Sequence, residues 1–280
     1  MKILICVSRF PFAKATLQFG GLIVGLEQSE ATVLTVIENA AERPLAEATL
    51  AQAQAILNLP DTVMKIRQGS PTNEIIRETN DGQYNIVVIG DHILQGFFDR
   101  FLPSLAHRVA DRTAATMLIV KEQPATLERI LICTSGRKID KTVVQMGARL
   151  GLAATAVVTL LYIADPVPAM YTGLDSMDES LADLLRSNTP LARHLNWATG
   201  HLQDEGVSHN LVMRRGVIAD EIALEALAGS YDLVIIGARA GSNFWNDLLV
   251  GHVTPQIVDK APCSVLIVRT NKPNKKKKKK

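Results

Sequence analysis

Aromatic residues make up only 5% of this 280-residue chain, and it has three cysteines. Cys6, Cys133 and Cys263 form no C-x-x-C pair, and each lies in or beside an apolar run. They read as buried, inert thiols rather than metal or redox groups. No apolar run approaches the ~20 residues needed to span a bilayer. The opening MKILICVSRF lacks the basic, apolar and small-residue order of a signal peptide. A cytoplasmic protein without membrane contact is expected. Basic surface is lacking too. The formal net charge is +2, but seven lysines lie in the terminal NKPNKKKKKK, so residues 1–270 carry −5. An acidic body argues against a nucleic-acid partner. The lysine run, 271–280, has no periodicity and no apolar partners, so it is expected to be a disordered tail, solvated or artificially appended.

What the chain does have is itself, twice. KILICVS (residues 2–8) returns as RILICTS (129–135) at an offset of 127. YNIVVIG (84–90) returns as YDLVIIG (231–237), and GSPTNEII (69–76) as GVIADEIA (216–223), both at 147. LIVK (118–121) matches LIVR (266–269) at 148. Collinear matches imply a duplication. The change in offset places about 20 extra residues between the second and third strands of the second copy. The boundaries that follow are a first domain at 1–121, a linker at 122–127 around Pro124, and a second domain at 128–270.

Each copy reads β-α-β-α-β-α-β-α-β. In the first, strands are expected near 2–7, 32–37, 62–67, 85–90 and 116–121. Their continuous apolar, β-branched runs suit strands buried on both faces of a parallel sheet. The intervening helical patterns include Leu17, Gly21 and Val24, a spacing repeated by Val143, Gly147 and Leu150. Alternating strands and helices predict two tandem α/β domains, each a five-stranded, doubly wound parallel sheet. Ligands bind such sheets beyond the carboxyl ends of the strands, where the strand order reverses.

The tract YDLVIIGARAG…LLVGHV…APCSVLIVR is similar to the fourth strand, glycine loop, helix and fifth strand of universal stress proteins, and the similarity extends over both halves. The resemblance implies an adenine-nucleotide alpha-hydrolase-like fold and tandem units paired as a pseudo-dimer through their fifth strands. It also implies an ATP-binding loop of pattern G-x2-G-x9-G-[ST], usually with an aspartate just after the first strand. In the second half Gly237 fits the first glycine, Gly241 the second with one residue inserted, and Gly251 the third, while His252 replaces the hydroxyl residue. Phosphates in such loops are held mainly by backbone N–H groups and a helix N-terminus, which these changes leave in place. Thr254 offers a nearby hydroxyl. In the first half Ile93 and Pro103 occupy the second and third glycine positions, and Pro103 has no N–H to donate. Ser104 then reads as a helix cap. Triphosphate binding is not expected there.

Both halves place a serine, Ser8 or Ser135, where the resemblance expects the aspartate. Ser8 is followed by Arg9, which reads as solvated. If the second unit binds ATP or ADP, the resemblance places Thr134, Ser135 and Gly136 near the base with Ile163 against adenine, and Ile236 beside the loop. Gly237, Arg239, Gly241, Gly251, His252 and Val253 then surround the phosphates.

Other candidates read as structural. His194 and His201 lie seven apart on a helical face, without a third ligand for zinc, and suggest a solvated or half-buried face. His92 and His107 flank the degenerate first loop and read as non-catalytic. Phe244 and Trp245 sit inside the second loop, suited either to close over a ligand or to pack on the neighbouring unit. The inserted DPVPAMYTGLDSMDES (165–180) reads by default as a flexible surface loop, with a lid or a partner surface as the alternatives. No nucleophile elbow, Walker lysine or paired carboxylates are present, so turnover is not expected beyond slow ATP hydrolysis by a positioned water. Two functions stay open: a stress-response sensor or regulator that binds adenine nucleotide in its second domain, and a nucleotide-free scaffold or adaptor acting through protein–protein contacts with an unknown partner; assembly into a homodimer is open for either. An enzyme of a related fold is a third, less supported reading.

Overall fold

The computed structural model of the chain describes residues 1–91, 105–121, 124, 126–165, 180–239 and 253–270. The first unit runs β1 (Lys2–Val7), α1 (Ala13–Leu26), β2 (Glu30–Ile37), α2 (Arg43–Leu57), β3 (Val63–Gln68), α3 (Pro71–Gly82), β4 (Ile86–Gly90), α4 (Leu105–Arg112) and β5 (Thr116–Val120). The second runs β6 (Arg129–Thr134), α5 (Lys141–Ala154), β7 (Val157–Ala164), α6 (Leu181–Arg186), α7 (Pro190–Asp204), β8 (His209–Arg215), α8 (Ile218–Ala228), β9 (Leu233–Arg239), α9 (Val253–Lys260) and β10 (Ser264–Thr270). Short helix α6 belongs to the extra length of the second unit. Residues 166–179 of the inserted stretch, like the tail at 271–280, lie outside the described residues.

Strands within each unit pair in parallel, and the two sheets join at their edges into one ten-stranded sheet of order β3-β2-β1-β4-β5-β10-β9-β6-β7-β8. The junction is antiparallel, with Leu266 of β10 opposite Leu118 of β5. Alternate side chains along each strand point to opposite faces. Ile3, Ile5, Ile132 and Val158 therefore pack under α1, α2, α5 and α7, while Leu4, Cys6, Leu131 and Val234 pack under α3, α4, α8 and α9. Each such side chain contributes about 1.5–3 kcal/mol on full burial. Burial is also what keeps the thiols inert: it raises the pKa of Cys6 and of Cys133 well above the ordinary thiol value, with smaller contributions from Glu78 and from Cys263 and Glu225 respectively.

Helix α5 approaches the sheet through Gly147, where an added Cβ would lie 2.1 Å from Ile132 Cδ1. The equivalent glycine in α1 is Gly20, beside Ile5, and not the Gly21 suggested by the spacing with Leu17 and Val24; Gly21 faces Leu57 instead. The reason is the offset of 127, which carries Ile5 onto Ile132 and Gly20 onto Gly147.

A second duplicated feature braces each unit behind its third strand. Arg67 Nε and Tyr84 Oη donate to the buried Glu78 carboxylate at 2.7 and 2.9 Å, and Lys65 Nζ adds a third donor at 2.8 Å. In the second unit Arg214 and Tyr231 donate to Glu225 at 3.1 and 3.2 Å, all three residues displaced by 147. Across the junction Arg149 Nε donates to Glu27 at 2.9 Å, and Lys121 Nζ donates to the Ala261 carbonyl at 2.8 Å.

Candidate functional site

In the second unit the chain leaves β6 for β7 on one side, while β9 lies on the other. The carboxyl ends of β6 and β9 thus form the point where strand order reverses, the position that favours a ligand in such a sheet. A cavity of about 380 Å³ opens there, within the ~300–1,000 Å³ common for small-molecule sites. Leu161, Ile163, Ile222, Ile236 and Ile257 supply apolar walls from four different elements. Thr134, Ser135, Asp140, Asp165 and Arg137 supply the polar lining, and Gly237 of β9 meets the first turn of α9 at Val253 and Thr254.

Seven of the nucleotide-site candidates singled out in the sequence, Thr134, Ser135, Ile163, Ile236, Gly237, Val253 and Thr254, therefore line one cavity. Gly136 does not line it; it follows in the left-handed region at φ +74°, packed on Leu191. The Arg239 backbone ends β9. Gly241, Phe244, Trp245, Gly251 and His252 lie outside the described residues, as do His92, Ile93, Pro103 and Ser104 of the first unit.

Ser135 stands at the position of the expected aspartate, and a different carboxylate reaches the same strand end. Asp140, five residues beyond Ser135, folds back so that its buried carboxylate meets the end of β6. Its Oδ2 accepts from Ser135 N and Ser135 Oγ, each at 2.7 Å, and from Thr134 Oγ1 at 3.1 Å. Oδ1 accepts from no described group. Hydrogen bonds to a carboxylate are worth ~1.5–3 kcal/mol each, enough to fix the turn. A carboxylate thus stands at the strand end, delivered by a residue that linear position did not indicate. The first unit has nothing comparable, since Val7, Ser8 and Ala13 occupy the positions of Thr134, Ser135 and Asp140.

His194 of α7 completes a polar cluster behind this turn. Its Nε2 lies 2.9 Å from Thr134 Oγ1. Thr134 gives its single proton to Asp140 and accepts from the Gly136 N–H at 3.1 Å. The remaining lone pair makes His194 Nε2 the donor, so its Nδ1, buried without a partner among the described residues, carries no proton. Burial holds the His194 pKa below its ordinary value; the Asp140 charge opposes that shift and Lys141 adds to it. A solvated or half-buried histidine face is therefore wrong for His194, which is 6% exposed because Leu195 and Ala198 carry that side of α7 into the core. His201 is half-buried and stacks on Trp197 at 5.4 Å. Among the described residues no three His, Cys, Asp or Glu side chains could hold a metal.

The first unit has a larger cavity at the corresponding place, about 570 Å³. Two arginines, Arg108 and Arg112, and one carboxylate, Glu38, line it, against one arginine and two carboxylates in the second. Arg9 is exposed.

The profile of the Universal stress protein family matches residues 1–121 and again residues 126–269. The chain is a tandem universal stress protein. Such a protein from Methanothermobacter thermautotrophicus is 27% identical over 142 residues, covering 51% of this chain and 95% of the relative, as a single unit would. A crystal structure of a universal stress protein from Archaeoglobus fulgidus superposes with a TM-score of 0.69, at 13% identity, covering 96% of both chains. Another, of a putative universal stress protein from Pseudomonas aeruginosa, gives 0.69 at 14% identity over 96% of this chain and 93% of that one. At such identities the two structures speak for the fold, and they carry it across both units of this universal stress protein. No helix among the described residues is long and apolar enough to cross a membrane.

Proposed function

We propose that this universal stress protein is a stress-response sensor or regulator whose second unit binds adenine nucleotide, ATP or ADP, and whose first unit does not. The observation that carries the reading is the Asp140 carboxylate, brought to the end of β6 inside an apolar-walled cavity. Apolar walls from Ile163 and Ile236 suit the faces of a purine. Asp140 Oδ1 and Asp165 are acceptors for the hydrogen-bond donors of a nucleoside, its amino group and ribose hydroxyls. The exposed Gly237 backbone and the first turn of α9 provide N–H groups and a helix dipole for phosphate. By family pattern Arg239, Gly241, Gly251 and His252 complete that end. The protein binds rather than turns over its ligand, acts in the cytoplasm, and uses the two units as an intramolecular pseudo-dimer.

Mass spectrometry of small molecules released from the purified chain, with calorimetric titration of ATP, ADP and AMP, tests this. One equivalent per chain is expected. Asp140→Asn should weaken binding about tenfold, the difference between a charge-assisted and a neutral hydrogen bond. Gly251→Pro should abolish it. Absence of heat up to millimolar nucleotide would shift the function to a nucleotide-free scaffold.

A further inference from the structure

The first unit's cavity differs from its counterpart in a way that follows four side chains. Arg108 Nε donates to Thr72 Oγ1 at 3.2 Å, and an Arg112 terminal nitrogen donates to Asn73 Oδ1 at 2.9 Å. Each guanidinium is thus tethered by a neutral partner on the first turn of α3, and both line the cavity. No carboxylate among the described residues pairs with either. In the second unit the equivalent positions are Gln256, Lys260, Ala219 and Asp220. There the single remaining cation, Lys260, is neutralised by Asp220. With Asn73 where the second unit has an aspartate, the first cavity holds two arginines against the one carboxylate of Glu38, and neither arginine is ion-paired among the described residues.

The cavity floor carries apolar side chains from Cys6, Leu34, Val36, Ile75 and Leu105, with Ser8, Ser70 and Glu38 also in the lining. Burial keeps Cys6 a thiol rather than a thiolate, so the floor adds no charge of its own. A polar head at the arginines and an apolar body on the floor define an amphipathic ligand. Nucleotide fits poorly, because the strand end offers Val7, Ser8 and Ala13 in place of the carboxylate turn, and the loop sequence has Ile93 and Pro103 at glycine positions.

We propose that the first unit binds a small amphipathic organic anion, a carboxylate or phosphate monoester on an apolar body, with Arg108 and Arg112 holding the head. The site is independent of nucleotide binding in the second unit.

Calorimetric titration of the full chain with octyl phosphate, octanoate, octanol, inorganic phosphate and ATP tests the assignment. Octyl phosphate or octanoate should bind at one site per chain, at least tenfold more tightly than octanol or inorganic phosphate. Arg108→Gln and Arg112→Gln should each cost about tenfold, the worth of one charge-assisted contact, while Lys260→Gln leaves the affinity unchanged. Val36→Phe, which fills the floor with both arginines intact, should also block binding, and thermal melts establish that each variant is folded. Equal affinity for octanol and octanoate overturns the proposal. So does unaltered binding in the folded double arginine variant, or ATP outcompeting octyl phosphate at this site. The nucleotide reading fails separately, on ATP binding by the wild-type chain and its Asp140→Asn variant.

Discussion

The two cavities occupy the same place on the same fold and carry opposite chemistry. In the second, Asp140 and Asp165 outnumber Arg137, and Lys260 is tied to Asp220. In the first, Arg108 and Arg112 outnumber Glu38, and no aspartate stands at the end of β1. The backbone that makes the crevice is duplicated; the charge of its lining is set by a handful of side chains around it. Function on a shared fold belongs to the site rather than to the architecture.

The largest effect that would sharpen the comparison concerns the brace behind each third strand. Glu78 is 2% exposed and takes three donors, whereas the Glu225 side chain is 14% exposed and takes two. Glu78→Gln should destabilise the protein by about 2–3 kcal/mol and Glu225→Gln by about 1 kcal/mol, since charge-assisted bonds become neutral ones while solvent reaching the part-exposed Lys65, Arg67 and Arg214 offsets some of the loss. Urea unfolding of the two variants measures both. Burial works against the charged Glu78, but the donors Lys65, Arg67 and Tyr84 prevail and lower its pKa. Its stabilisation is thus present above the unfolded carboxyl pKa, about 4.3, and is lost as pH falls through the folded value.

Next in size is the helix-to-sheet approach. Gly147→Ala should cost about 2 kcal/mol through overpacking against Ile132. Gly20→Ala should cost less, because its Cβ would meet the flexible end of Ile5 at 2.9 Å rather than 2.1 Å. Equal losses would mean that α1 and α5 are seated alike.

A smaller effect separates the units by pH. His194 has a lowered pKa, so below the unfolded value near 6.5 the unfolded chain binds the extra proton first. Stability should fall as pH drops through that value and level off below the folded pKa. Position 47 of the first unit is an exposed glutamate, without this liability. Urea midpoints at pH about 7.5 and about 5.5 should differ in the wild type and differ less in His194→Gln.

The smallest effect on stability is the most direct attempt to break the comparison. Asp220→Asn frees Lys260, and Asn73→Asp neutralises Arg112, each at about 0.5 kcal/mol or less for exposed groups. Lys260 and Asp220 lie outside the lining of the second cavity, so the first exchange should leave anion binding there unchanged, whereas the second should weaken octyl phosphate binding in the first cavity. If Asn73→Asp does not move anion affinity, the arginine contrast is not what separates the cavities.

Most of the fold was legible because duplication and apolar periodicity are both properties of linear order. The offsets of 127 and 147 mark β1 and β6, β4 and β9, and the helix starts at Pro71 and Ile218. The glycine equivalence was missed by one position, since Gly20 and Gly21 are adjacent and only packing against Ile5 distinguishes them. The site was legible where strand ends supply it, as for Thr134, Ile163 and Ile236. Asp140 was not, because it reaches the strand end only after the chain turns through Gly136 at positive φ. Arg108 and Arg112 were hidden for a related reason: their partners lie 36 and 39 residues away on another helix.

The antiparallel seam between β5 and β10 has a further consequence. All strands of one unit run one way and all strands of the other run the opposite way, so the two cavities open at opposite ends of the sheet and on the same face. A homodimer closed by that seam would be bound by its twofold axis: any residue altered in one cavity would be altered in both. Carrying both halves on one polypeptide removes that obligation. Asn73 can differ from Asp220, and Ala13 from Asp140, so the two cavities of one molecule are free to carry unlike charge.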